Sequence, residues 1–147
     1  MLFSARKMLD RICEYSFIEV YSFMYFSWLQ RTQWFSRSKL KEIQRKRLRF
    51  LLEHAFKHVP FYHRVFRARS LRPSDIKSTD DLIKLPIVTK DDIRNNFHDF
   101  LSRDFQRYGP VLNSTSGSTG EPFRYYIDRR TVGIANAAMW RGWGYAG

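Results

Sequence analysis

The nine residues from Ser114 to Pro122 constrain this chain most, because they place five hydroxyl side chains and two glycines between two strand-like runs. Glycine lets successive backbone N–H groups turn toward a common centre, and serine or threonine hydroxyls add donors without bulk. Such a loop suits phosphate, and the expected ligand is a nucleotide. The runs Val111-Leu112-Asn113 and Phe123-Arg124-Tyr125-Tyr126-Ile127 read as β, the second being aromatic and β-branched. A strand-loop-strand unit follows. The glycine spacing and the missing lysine exclude the phosphate loop of classical nucleotide hydrolases. Gly117-Ser118-Thr119-Gly120 is one residue too short for a nucleophile elbow. A plain Ser/Gly turn is the bland alternative.

Upstream, the sequence is helical. Ser36 is placed to cap a basic helix, with Phe35 and Leu40 as a hydrophobic staple and Pro60 as its end. Along it Leu40, Ile43, Leu48, Leu51, Leu52, Ala55, Phe56 and Val59 recur at helical spacing and form the expected core face. A further helical turn is expected over residues 61–68. Ser78 with Asp81, and Thr89 with Asp92, have the spacing of N-terminal caps, so helices are expected at about 79–85 and 90–101. That spacing makes Asp80, Asp81, Asp91 and Asp92 capping carboxylates rather than a metal or acid-base cluster. His54 and His58 stand four apart and could share a metal, but they lack the glutamate of the zinc-protease helix and read as packed or surface histidines. His63 and His98 receive no role. Residues 131–145 read as a last helix.

The formal net charge of +12 is regional, since residues 31–72 hold thirteen Lys or Arg against Glu42 and Glu53. Without a recognisable motif or interleaved aromatics, nucleic acid is not an expected partner. A solvated helix face is the simpler reading, with an anionic membrane surface as the minority one. The apolar run from Phe17 to Leu29 spans thirteen residues and contains Glu19, short of the roughly 20 apolar residues a spanning helix needs. No small-residue cleavage site follows it. The lone Cys13 permits no internal disulfide and accords with a reducing cytoplasm.

Thr115-Ser116-Gly117-Ser118-Thr119-Gly120-Glu121-Pro122 resembles the phosphate-binding signature of the adenylate-forming superfamily, which activates carboxylates with ATP. The order of Gln33-Trp34-Phe35-Ser36, the helix from Leu48 to Val59, Val59-Pro60-Phe61-Tyr62 and Leu85-Pro86-Ile87-Val88-Thr89-Lys90 is similar to one branch of it. That branch holds phenylacetate-coenzyme A ligase and ligase-like proteins of capsular polysaccharide biosynthesis; the likeness, over about residues 30 to 147, is closer to the capsular type. The resemblance implies an α/β enzyme, α+β within this stretch, with an aromatic-rich helical segment over residues 1–34 and an incomplete adenylate-forming domain over 35–147. It implies that Thr115, Ser116, Gly117, Ser118, Thr119 and Gly120 wrap the β- and γ-phosphates of ATP with magnesium, and that coenzyme A is the acyl acceptor. Many members place lysine after the proline, where this chain has Phe123 and then Arg124. On this reading the chain is an N-terminal piece whose ribose-binding aspartate and catalytic lysine lie downstream. Its catalytic residues and acyl substrate are then unassigned, and Tyr125, Ile127, Trp140, Trp143 and Tyr145 are expected to pack on later elements. The alternative from another class is a non-catalytic basic module that binds an anionic membrane or partner through residues 37–72.

Overall fold

A computed structural model describes residues 2–115 and 122–146. They form α1 (Leu2–Thr32), α2 (Arg37–His58), α3 (Pro60–Ala68), α4 (Lys90–Asn95) and α5 (Arg129–Ala146), with a two-stranded ribbon of β1 (Val111–Ser114) and β2 (Arg124–Ile127). Short 3-10 helices at Pro73–Asp75, Thr79–Lys84, Phe97–Phe100 and Phe105–Tyr108 connect them. The class is α+β and mainly helical. The chain divides into two compact units.

The first unit comprises residues 2–35, 108–113 and 124–146. Its centre is the packing of α5 against α1. Gly133 permits it, because a Cβ there would lie 2.8 Å from the Tyr21 Cβ and 3.2 Å from the Ser22 backbone nitrogen. Ala137, one turn further along, and Ser22 opposite are fully buried. The Ser22 hydroxyl is satisfied within its own helix, donating to the Ile18 carbonyl at 2.7 Å, so the small polar side chain leaves no orphaned donor. Phe26 and Trp140 meet edge-on with centroids 6.2 Å apart, a geometry that suits the ring quadrupoles. Trp140, expected on later elements, is therefore covered in part by α1. Trp143 and Tyr145 remain exposed, and the Tyr145 hydroxyl donates to Gln33 Oε1.

The second unit holds residues 36–107, 114–115 and 122–123. Ser36 caps α2 as its sequence requires, accepting from the Lys39 N–H at 3.3 Å. Pro60 ends that helix and opens α3, where its missing N–H removes only a donor with no partner in the first turn. Leu48, Leu52 and Phe56, at four-residue spacing, face Phe66 of α3 together with Leu71, Ile76 and Leu85. Phe66 has no exposed surface, a burial that contributes roughly 1.5–3 kcal/mol. This stripe is narrower than the sequence periodicity suggested. Leu40 and Leu51 are exposed, because among the described residues the core that α2 builds is formed with α3 and the turns after it, on the face of Leu48, Leu52 and Phe56.

The helix expected at residues 90–101 stops at Asn95. Asn96 leaves helical geometry at φ −125° and ψ 29°, and its side-chain amide donates to the Asp92 carbonyl at 2.9 Å. Two tertiary contacts favour the break. Phe100 stacks on Phe61 at 4.0 Å, and the Arg64 guanidinium meets the Asp99 carboxylate at 2.7 Å. Asparagine is a weak helix former, so contacts with α3 outweigh continuation of α4. The stretch at residues 79–84 is likewise present, but as a 3-10 helix.

Candidate functional site

β1 and β2 flank the candidate loop in the sequence. Beyond β1 and β2 the ladder continues by one more pairing, in which the Thr115 N–H donates to the Phe123 carbonyl at 3.0 Å. The Phe123 N–H in turn donates to the Thr115 hydroxyl at 3.1 Å. Thr115 therefore closes the base of the loop from both its backbone and its side chain. A hydroxyl that accepts one hydrogen bond keeps its own proton to donate, so this anchor leaves Thr115 Oγ1 chemically competent toward an anionic oxygen. Of the residues expected to wrap phosphate, Thr115 alone is described. Ser116, Gly117, Ser118, Thr119 and Gly120 lie outside the described residues, as does Glu121.

After the ribbon the chain passes through Asp128 directly into α5. The Asp128 carboxylate accepts from the Thr131 N–H at 2.7 Å and satisfies one of the unpaired donors in the first turn. Arg124, the residue that stands nearest to the lysine of related loops, lies exposed on β2.

Asp81 and Asp92 cap, as their spacing required, while Asp91 pairs instead with Arg94 at 3.0 Å. Thr89 and Asp92 exchange hydrogen bonds reciprocally, with the Asp92 N–H donating to Thr89 Oγ1 at 3.1 Å and the Thr89 N–H donating to the Asp92 carboxylate at 2.8 Å. These bonds from Thr89 hold the Asp92 carboxyl below its usual range. Asp81 accepts from the backbone of Lys77 and Ser78 and from the Lys84 ammonium. On α2, Glu42 bridges Lys39 at 3.1 Å and Lys46 at 2.8 Å, and Arg49 pairs with Glu53 at 2.9 Å. Lys46 and then Lys39 hold the Glu42 carboxyl down to about 2. These are exposed pairs of the kind found on a solvated helix face. No helix among the described residues is long and apolar enough to cross a membrane.

His54 and His58 lie together with Asp104, a residue the sequence reading did not single out. The separation explains the omission, since Ser102 of the same cluster is 48 residues from His54 and no local pattern joins them. His63 Nδ1–H donates to the Phe56 carbonyl at 2.9 Å, and the ring stacks on that of Phe56.

Part of the chain is similar to phenylacetate-coenzyme A ligases. The phenylacetate-coenzyme A ligase of Escherichia coli (strain K12) is 35% identical over 88 residues, which is 59% of this chain and 20% of that protein. The enzyme of the same name from Aromatoleum evansii is 33% identical over 87 residues, with the same two shares. The chain is homologous to phenylacetate-coenzyme A ligases over that stretch. A phenylacetate-coenzyme A ligase from Thermus thermophilus is more distant, at 29% over 86 residues. No protein-family model matches the chain. The chain spans about a fifth of the length of the phenylacetate-coenzyme A ligases it matches.

Proposed function

We propose that this chain supplies the ATP-phosphate loop of an adenylate-forming ligase that activates a carboxylate, with arylacetates such as phenylacetate as the substrate class. The observation that carries this reading is the 29–35% identity to four phenylacetate-coenzyme A ligases. A carboxylate oxygen attacks the α-phosphorus of ATP, the bond to pyrophosphate breaks, and an acyl-adenylate forms. The thiol of coenzyme A then attacks the acyl carbon and expels AMP. In this scheme Ser116, Gly117, Ser118, Thr119 and Gly120 donate to the β- and γ-phosphates, and Thr115 holds the loop base and adds its hydroxyl proton. Donors fixed in advance favour in-line attack and stabilise charge growing on the leaving pyrophosphate. Magnesium accompanies ATP as its counter-ion and neutralises phosphate charge; no residue of this chain is assigned to hold it. A reaction that consumes ATP and coenzyme A belongs in the cytoplasm, and the lone Cys13 accords with that setting. The relatives lend no support to a polysaccharide pathway or to a non-catalytic basic module.

The test is exchange of labelled pyrophosphate into ATP by the full-length gene product, with phenylacetate and other carboxylates offered in turn. Exchange that requires a carboxylate is expected, and Gly120→Val should lower it about 100-fold or more by displacing backbone donors. Exchange independent of added acid, or a Gly120→Val variant as active as the parent, overturns the assignment.

A further inference from the structure

The last turns of α2 and the segment after the 3-10 helix Phe97–Phe100 converge on a set of metal-ligating atoms. His54 and His58 stand one turn apart on the same face of α2, with ring centroids 4.7 Å apart and planes inclined by only 25°. Asp104 Oδ1 lies 3.9 Å from His54 Nε2 and 3.9 Å from His58 Nδ1. All three ligand atoms fall within 4.8 Å of one another.

The backbone holds this arrangement independently of the side chains. The Arg103 N–H donates to the His58 carbonyl at 2.8 Å, so one of the carbonyls left over at the end of α2 anchors the segment that carries Asp104. Ser102 Oγ joins the cluster, 3.1 Å from His54 Nε2 and donating to Asp104 Oδ1 at 2.5 Å. The side chains of His54 and Asp104 are 26% and 19% exposed and that of His58 is 40%, which leaves a path for an ion and for a water as fourth ligand.

We propose that His54, His58 and Asp104 form a binding site for a borderline divalent transition-metal ion, zinc foremost, that ties the end of α2 to the Ser102–Asp104 segment. Two imidazoles and a carboxylate are a common protein donor set for zinc, with ligand bonds of about 2.0–2.2 Å. A tetrahedral site with such bonds has ligand-to-ligand edges of about 3.3 Å, so each nitrogen-to-oxygen edge here must shorten by about 0.6 Å. Side-chain rotation covers that distance while the Arg103–His58 hydrogen bond stays in place. On binding, the Ser102 hydroxyl passes to Asp104 Oδ2 and orients the carboxylate from outside the coordination sphere, as hydrogen-bonded partners of metal ligands commonly do.

The experiment is titration of the metal-free chain with zinc chloride against a chromophoric chelator, alongside 1H–15N spectra of the imidazoles. One zinc per chain is expected, with shifts at His54 and His58 and none at His63 or His98. His58→Ala and Asp104→Ala should each weaken binding about tenfold or more, whereas His98→Ala should leave it unchanged. Cobalt in place of zinc should give visible ligand-field bands that change in Asp104→Asn, a near-isosteric variant expected to keep the fold. Absence of zinc binding by the parent chain, or binding that leaves the His54 and His58 resonances unmoved, overturns the proposal. Equal affinity in the parent and in the variants has the same meaning. The imidazole spectra decide the matter on the unsubstituted chain, whether or not a variant folds.

Discussion

At Ser70 the backbone runs at φ 52°, the left-handed region that usually falls to glycine at a helix end. The reason is the way α3 terminates. The Leu71 N–H donates to the Phe66 carbonyl at 2.9 Å and the Ser70 N–H to the Arg67 carbonyl at 3.0 Å, which is the paired closure of a Schellman motif. Leu71 and Phe66, the two apolar residues that this motif brings together, both belong to the core of the second unit. The core thus holds a serine where its Cβ is strained. Ser70→Gly should raise stability by about 0.5 kcal/mol, the relief of strain being offset in part by glycine's larger entropy loss. Chemical denaturation of the two proteins measures it, and a lower midpoint for the glycine variant contradicts the reading. Asp81 makes a second prediction at this scale. The Lys84 ammonium first, with the Lys77 and Ser78 N–H groups, lowers its carboxyl to about 2, from an ordinary value near 4 in the unfolded chain. A carboxylate with a depressed native pKa contributes stability above its unfolded pKa and loses it as pH falls through the native one. The melting temperature should therefore fall between about pH 4 and pH 2, and Asp81→Asn should show a shallower fall over that interval. A parallel pH profile for the variant counts against this role.

Between elements, the decisive approach is that of α5 to α1. Gly133, Ala137 and Ser22 are the small residues at this contact, and the first has no room for a side chain. Gly133→Val must push against the Tyr21 side chain and the backbone around Ser22, and should cost about 1–3 kcal/mol, the usual range for overpacking. Thermal unfolding followed by tryptophan fluorescence reads it, since Trp140 rests on Phe26 at the same contact; an unchanged melting temperature refutes it. The caps at Ser36, Thr89 and Asp81 show how much of an element is local. Each was legible because a cap needs only a hydroxyl or carboxylate a few residues from an N–H. The end of α4 was not legible, because the Phe61–Phe100 stack and the Arg64–Asp99 pair join it to residues 35 or more positions away.

Across the whole chain, the same division separates what the sequence determined from what it left open. The loop composition, the strand on each side of it and the Pro60 junction all follow from short-range rules, and all are readable residue by residue. The likeness to carboxylate-activating ligases was legible for a related reason, since the motif Thr115–Gly120 is contiguous. Its anchoring was not: the two-way bond between Thr115 and Phe123 depends on how the strands register. The convergence of His54 and His58 on Asp104 was hidden for the same reason, as was the exposure of Leu40 and Leu51 on a helix whose periodicity placed them inward. Local sequence set the helices, caps, strands and loop composition, because dihedral preferences and nearby hydrogen bonds are fixed within a few residues. Only the tertiary structure decided which apolar face is covered and which distant side chains meet, because burial and ligand geometry depend on elements the chain brings together from far apart.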